Sequence, residues 1–263
     1  MPSERYRHGA AFVNGKLYLT GGRDLNDTIM EEVIEYDPKD GDLGSWKTLM
    51  TLEEDFQVSD HASFGKDGSI YVIGGYDKKY TAKSKVFTIN VETKSIVDLE
   101  PMGTKRGDAQ AVYYKEGKVE GIYAVGGFTH ESVKEYCRPL SHAEKYDFKT
   151  NKWTEIDSLE NERGDKGLVV INGKVLAIGG ESKHETLCDE TTSIEPSSHS
   201  IAVDDVESFN PQDGDEAEWH VESDFPSFRF RSAAAASEKL GKVYVFGGKF
   251  YPYCTFVGCT CLR

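Results

Sequence analysis

Positive charge is in the minority in this chain: 31 Lys and Arg stand against 45 Asp and Glu, a formal net charge of -14 over 263 residues. The average field of such a surface repels an extended polyanion, so nucleic acid is excluded as the expected partner. Proline is scarce, with 8 residues against 26 glycines, and a chain that is 38% hydrophobic has the composition of neither a disordered polypeptide nor a collagen. Long apolar runs are missing too, and nothing reaches the roughly 18 residues that a membrane helix needs. Met1 to Arg7 are polar with no apolar stretch behind them, so neither a secretory signal nor membrane attachment is expected. The five cysteines, Cys137, Cys188, Cys254, Cys259 and Cys261, are odd in number, and three fall in the last ten residues. That distribution argues against a disulfide framework and makes a reducing cytoplasm or nucleus the expected location.

Signatures of catalysis are missing as well. The seven histidines, His8, His61, His130, His142, His184, His199 and His220, form no HExxH and no paired metal spacing. There is no GxSxG, no Walker loop and no dinucleotide fingerprint in a βαβ setting. Cys254, Cys259 and Cys261 would bind zinc only with a fourth ligand from elsewhere, so no metal and no cofactor is expected.

What is present is self-similarity. Gly-Gly pairs fall at Gly21-Gly22, Gly74-Gly75, Gly126-Gly127, Gly179-Gly180 and Gly247-Gly248, with first glycines 53, 52, 53 and 68 residues apart. Each pair closes a short run rich in β-branched and aromatic residues, such as Ile70-Tyr71-Val72-Ile73, which reads as a buried strand. Ahead of it lies another strand and a turn, clearest at Asn14-Gly15 and Asn172-Gly173, where Asn-Gly supplies the two positive φ values of a type I′ hairpin. Beyond it comes a third strand ending in an aromatic, then a fourth opened by Trp: Tyr36 and Trp46, Tyr146 and Trp153, Phe209 and Trp219. In the second repeat Ile89 and Ile96 hold these places. The repeats span about 5–52, 53–103, 104–160, 161–225 and a partial 226–263.

Gly-Gly, then Tyr-Asp-Pro, then Trp, in this order and period, resembles the Kelch repeat over almost the whole chain. The resemblance implies an all-β fold, a Kelch-type β-propeller in one domain over 1–263, with four complete four-stranded blades plus a partial fifth around a central channel. The glycines and aromatics are then structural: Gly where the second strand leaves the sheet, aromatics between blades. Propellers of this kind carry roughly six or seven blades. Either a five-bladed ring closes imperfectly, or the chain is a fragment or truncated product whose two open sheet edges invite pairing with another chain. The tail after Gly248 offers one further strand, Cys254 to Val257.

Two loops are long. Gly180 to Phe209 takes 29 residues where Gly22 to Tyr36 takes 14, and the insertion from Glu181 onward is polar and acidic. A smaller one from Gly127 to Tyr146 carries His130, Glu131, Cys137 and His142. Both share a face with the residues that open each repeat: Arg5-Tyr6-Arg7, Arg106-Gly107-Asp108, Arg163-Gly164-Asp165 and Arg229-Phe230-Arg231, with Asp60 at the last position in repeat two. In Kelch substrate receptors this mouth binds short acidic segments. The resemblance therefore assigns partner binding to Arg7, Arg106, Arg163, Arg229 and Arg231, whose guanidiniums suit bidentate carboxylate capture. The alternative is that these arginines pair with neighbouring Asp or Glu and orient the strands. The expected function is an intracellular protein-binding module, a substrate-recognition or adaptor subunit of a ubiquitin ligase, and not an enzyme. The alternative is a Kelch-superfamily enzyme acting on a small sugar-like ligand, of mutarotase, oxidase or specifier type.

Overall fold

Each strand-forming run is bounded by a turn signal, and in the computed structural model, which describes residues 1–129, 139–183, 200–226 and 229–249, the runs pair only with near neighbours. Blade one is β1 (Gly9–Val13), β2 (Lys16–Thr20), β3 (Glu32–Asp37) and β4 (Ser45–Thr51). Blade two is β5 (Ala62–Lys66), β6 (Ser69–Ile73), β7 (Val86–Asn90) and β8 (Ile96–Leu99). Blade three is β9 (Gln110–Glu116), β10 (Val119–Val125), β11 (Ala143–Asp147) and β12 (Lys152–Ile156). Blade four starts with β13 (Gly167–Ile171) and β14 (Lys174–Ile178), passes through a small hairpin of β15 (Glu181–Lys183) and β16 (Ser200–Ala202), and ends with β17 (Asp205–Phe209) and β18 (Trp219–Asp224). The fifth unit is a two-stranded sheet of β19 (Phe230–Ser237) and β20 (Lys242–Lys249). The expected strand Cys254 to Val257 lies outside the described residues.

Every pairing within a sheet is antiparallel. Asn14, Asp67 and Asn172 take left-handed backbone before a glycine that does the same, the type I′ geometry that joins two strands by two residues. First strands pack against first strands, β1 on β5, β5 on β9, β9 on β13 and β13 on β19, which sets the sheets face to face around an axis. Each interface between the four complete blades has its own apolar core. Between blades one and two it holds Ala11, Val33, Ile70 and Phe87, and between blades three and four it holds Tyr123, Val125, Val175 and Trp219. The stability of the array therefore resides in the seams between sheets.

The aromatic landmarks stand directly opposite one another on the third and fourth strands: Tyr36 with Trp46, Tyr146 with Trp153, Phe209 with Trp219, and Ile89 with Ile96. Ring centroids lie 4.9, 5.3 and 5.3 Å apart in the three aromatic pairs. Such cross-strand pairs fix register as well as bury area.

The Gly-Gly pairs are the joints of the array. The second glycine donates its N–H to the next blade: Gly22 to the Val58 carbonyl, Gly75 to Arg106, Gly127 to Arg163 and Gly180 to Arg229, at 2.9–3.1 Å. The first glycine faces the same carbonyl so closely that a Cβ on Gly74 would lie 2.6 Å from the Arg106 oxygen. Gly247 has the same left-handed backbone, φ 67°, and a Cβ there would meet no atom within 4 Å among the described residues. Gly247→Ala is therefore expected to cost only the left-handed penalty of about 1–2 kcal/mol. Gly74→Ala should lower the midpoint of thermal unfolding by clearly more, because it must also push two blades apart.

Candidate functional site at the channel mouth

The residue three places into each repeat opening sits on the axis. Arg7, Asp60, Asp108, Asp165 and Arg231 all take left-handed backbone, with φ of 58°, 55°, 50°, 50° and 57°. Their main chains are linked in a stair: Asp60 N donates to Arg7 O at 2.9 Å, Asp108 N to Asp60 O at 3.0 Å, Asp165 N to Asp108 O at 2.9 Å, and Arg231 N to Asp165 O at 2.8 Å. Asp tolerates this backbone better than most residues, whereas Arg at φ near +60° is uncommon and is held there by the same main-chain stair.

These side chains line a cavity of about 510 Å³ together with Tyr6, His8, His61, Gln110, Ser232 and Lys249. Arg7 Nη1 lies 3.3 Å from Asp60 Oδ2, and Arg231 bridges Asp165 (3.0 Å) and Glu181 (3.2 Å). The guanidiniums are about one-third exposed, at 30% and 33%, while Asp60 and Asp165 lie deeper, at 5% and 16%. Asp108 accepts a hydrogen bond from the Tyr76 hydroxyl at 3.0 Å and lies within hydrogen-bonding reach of Asp60. Burial, and for Asp108 and Asp165 also the neighbouring carboxylates, pushes all three axial Asp carboxyls above the usual range. His61 is pushed down to about 3 by burial and by His8, so its imidazole is neutral.

The first residue of each opening does something else. Arg106 and Arg163 are fully buried. Arg106 Nη1 donates to the Gly126 and His142 carbonyls, both at 2.9 Å, and Nη2 pairs with Glu144 at 2.5 Å. Arg163 Nη1 reaches the Gly179 and Asp205 carbonyls, and Nη2 pairs with Glu207 and Asp205. Arg5 and Arg229 repeat the gesture toward the Gly21 and Gly247 carbonyls. Of the five arginines expected to face a partner, the structure places Arg7 and Arg231 at the mouth and Arg106 and Arg163 inside their blades as clamps, paired with Glu144 and Glu207. Arg229 belongs with the clamps by register and by its bond to Gly247. In fully extended backbone the first and third residues of a triplet would share a face, and it is the left-handed torsion at the third that breaks this and aims it at the axis.

A second cluster adjoins the mouth on the loops after Gly22 and Gly75. The Arg7 guanidinium lies 5.6 Å from the Tyr80 ring, Arg23 stacks 3.7 Å over the same ring, and both Tyr6 and Tyr80 donate to Asp27. Beside them a cavity of about 450 Å³ is lined by Lys78, Lys79, Lys83 and Lys85 with Glu54, Asp55 and Asp77. Lys83 pairs with Asp77 at 2.8 Å, and Lys85 lies over the Phe56 ring at 3.9 Å. Nothing in the sequence alone brings this cavity to notice except four lysines within eight residues of an acidic chain. His130, Glu131, Cys137, His184, Cys188, His199 and the cysteines of the tail lie outside the described residues. Among the described residues no group of three or more His, Cys, Asp or Glu has the arrangement of a metal site.

Four-stranded antiparallel sheets radiating from an axis, joined by Gly-Gly and stapled by Arg and Glu, define a Kelch-type β-propeller. The family model described as the Attractin/LZTR1 beta-propeller matches residues 1–250, and the chain belongs to that family. Kelch-like protein 40 of Xenopus laevis is 28% identical over 215 residues, 81% of this chain and 31% of the relative. The Kelch repeat and BTB domain-containing protein 2 of Cowpox virus (strain GRI-90 / Grishak) is 27% identical over 127 residues, 48% of this chain and 21% of the relative. The chain thus spans less than a third of the length of these relatives. Among solved structures, that reported as the structure of YjhT superposes with a TM-score of 0.72 at 15% identity, covering 94% of this chain and 78% of the other, which shows the fold.

Proposed function

We propose that the chain is a protein-interaction module that docks an acidic segment of a partner across the axial mouth and the adjoining loops of blades one and two. The observation that carries the proposal is the placement of charge. On a chain of net charge -14, Arg7, Arg231, Lys249 and the four lysines of 78–85 gather on one face and bring it close to charge balance against Asp60, Asp108, Asp165, Glu54, Asp55 and Asp77. Arg7 and Arg231 also hold backbone that costs an Arg more than it costs an Asp, a strain that partner binding would justify. On this reading the chain is a binding subunit and not an enzyme. It would serve as the substrate-recognition or adaptor arm of a ubiquitin ligase in the cytoplasm or nucleus, a role in keeping with a relative whose name joins the Kelch repeat to a BTB domain. Titration with a hexaglutamate peptide tests the docking surface. Lys79→Glu combined with Arg231→Ala should weaken binding by about tenfold or more, equivalent to about 1.4 kcal/mol, and unchanged affinity would refute the assignment.

Self-association through the fifth unit is a second reading, carried by one observation. Tyr244 and Phe246 stack on one face of β20 with 39% and 58% exposure. Sedimentation velocity across a concentration series should show a dimer or larger species that Phe246→Lys removes. A wild-type monomer at every concentration would end the idea.

A further inference from the structure

The open face of the fifth unit has a pattern as well as an apolar character. Ala233 stands directly opposite Phe246, and Ala235 opposite Tyr244, so these four side chains share one face of the β19–β20 sheet. All four are exposed, and the two rings stack with centroids 6.3 Å apart. Ala234, Val243 and Val245 alternate onto the other face, which rests on blade four: a Cβ on Gly167 would lie 2.7 Å from the Ala234 Cβ. The open face is thus an aromatic ridge along β20 beside an alanine groove along β19, about 4.8 Å away, each with a repeat of about 6.8 Å. A surface that covers it must offer a groove and a ridge at the same two spacings in reversed order. The face itself does so after a half-turn about an axis that runs along the strands. That rotation lays β20 of one copy over β19 of the other at equal height, Phe246 over Ala233 and Tyr244 over Ala235. At the turn end it sets Lys242 over Ser237, so the lysines do not superpose. A half-turn about an axis across the strands would instead set aromatics on aromatics and alanines on a void.

We propose that this face is covered by a second copy of the chain, in a two-fold dimer whose fifth units pack sheet on sheet about 10 Å apart, aromatic ridge into alanine groove. The proposal rests on the reading of the fifth unit as a self-association surface and gives that surface its occupant and its geometry. It continues the packing inside the array, where the first strand of each blade lies on the first strand of the next. It also gives a two-stranded sheet, the least self-sufficient unit of the chain, cover on both faces. Four side chains per copy form the centre of the contact, against roughly 20–30 residues a side in a standard interface, so the dimer is weak and its population rises with concentration.

Two measurements on the full chain test it. In sedimentation velocity, Ala235→Lys, which fills the groove with a charge, should weaken the dimer about tenfold or more. Phe12→Lys, at a 65% exposed position on β1 at the other end of the array, should leave it intact. In the second measurement p-benzoylphenylalanine replaces Phe246, and isotopically light and heavy chains are mixed before photolysis, so that mass spectrometry separates cross-links between copies from those within one. The expected product joins position 246 of one copy to residues 230–237 of the other. A wild-type monomer at every concentration would end both this proposal and the reading of the fifth unit as a self-association surface. A dimer that survives Ala235→Lys, is lost in Phe12→Lys, or cross-links from position 246 to β20 or β1 of the other copy, or to no part of it, would overturn the geometry while self-association stands.

Discussion

Glu207→Ala is expected to destabilise the chain by about 3 kcal/mol, near the lower end of the cost of breaking a buried ion pair because Arg163 keeps Asp205. Glu207 is fully buried on β17, pairs with Arg163, and accepts the Glu160 N–H at 2.7 Å and the Asn161 N–H at 3.1 Å. Its removal leaves the Arg163 guanidinium with Asp205 as its one remaining carboxylate and strands two turn amides, in a region that also holds Lys166, whose ammonium donates to the Val125 carbonyl at 2.5 Å. Lys166 is already driven well below its usual pKa by burial and by Arg163 and Arg106. Glu207 offsets that positive charge, so its loss penalises both cations. Denaturant unfolding provides the measurement, and the double variant Arg163→Met, Glu207→Leu provides the control. Replacing both charges with apolar groups should recover most of the loss, since a buried pair is worth little relative to a hydrophobic substitute while a broken one is costly. Additive losses in the double variant would contradict the clamp.

Asp108→Asn is expected to do the opposite and stabilise the chain at neutral pH. The carboxyl of Asp108 lies among Asp60 and Asp165, and burial and repulsion hold its pKa well above the usual carboxylate range. A group whose folded pKa is raised contributes most below the unfolded value, and that contribution is lost as pH rises through the folded value. The wild type is therefore penalised at neutral pH and relieved on acidification. The amide introduced by D108N carries its own N–H donors and needs no bound proton to bond the Asp60 carboxylate. The gap between D108N and wild type should widen as pH rises toward neutrality and narrow in acid, with each kcal/mol moving the melting midpoint by about 2–4 °C in a domain of about this size. A gap independent of pH would show that Asp108 is ionised without penalty.

The landmarks that repeat were legible in the sequence. Gly-Gly, the Asn-Gly hairpins and the facing pairs Tyr36–Trp46, Tyr146–Trp153, Phe209–Trp219 and Ile89–Ile96 are all where period and spacing put them, because each is enforced locally by torsion or by pleat. The repeat openings were legible as a register but not as a function. Both residues of the pair Arg5 and Arg7 look alike in sequence, yet one turns into its blade and the other onto the axis. The difference is a left-handed torsion that Asp60, Asp108 and Asp165 advertise and Arg7 and Arg231 conceal. The Glu partners of the clamps, Glu144 and Glu207, lie 38 and 44 residues away on a third strand, so no short window contains the pair. The β15–β16 hairpin escaped for the same reason: its strands are three residues each and are joined across a long polar insertion.

The claim that the axial mouth, with the adjoining loops of blades one and two, is the docking face is tested most directly by quantitative affinity purification from cells of matched surface variants. One bait carries Lys79→Glu and Arg231→Ala at the mouth, and the other carries Lys39→Glu and Lys149→Glu in the β3–β4 and β11–β12 turns at the opposite ends of their blades. The expected result is that proteins recovered with the wild type are lost from the first bait and retained by the second. Equal recovery with both, or loss confined to the second, would contradict it.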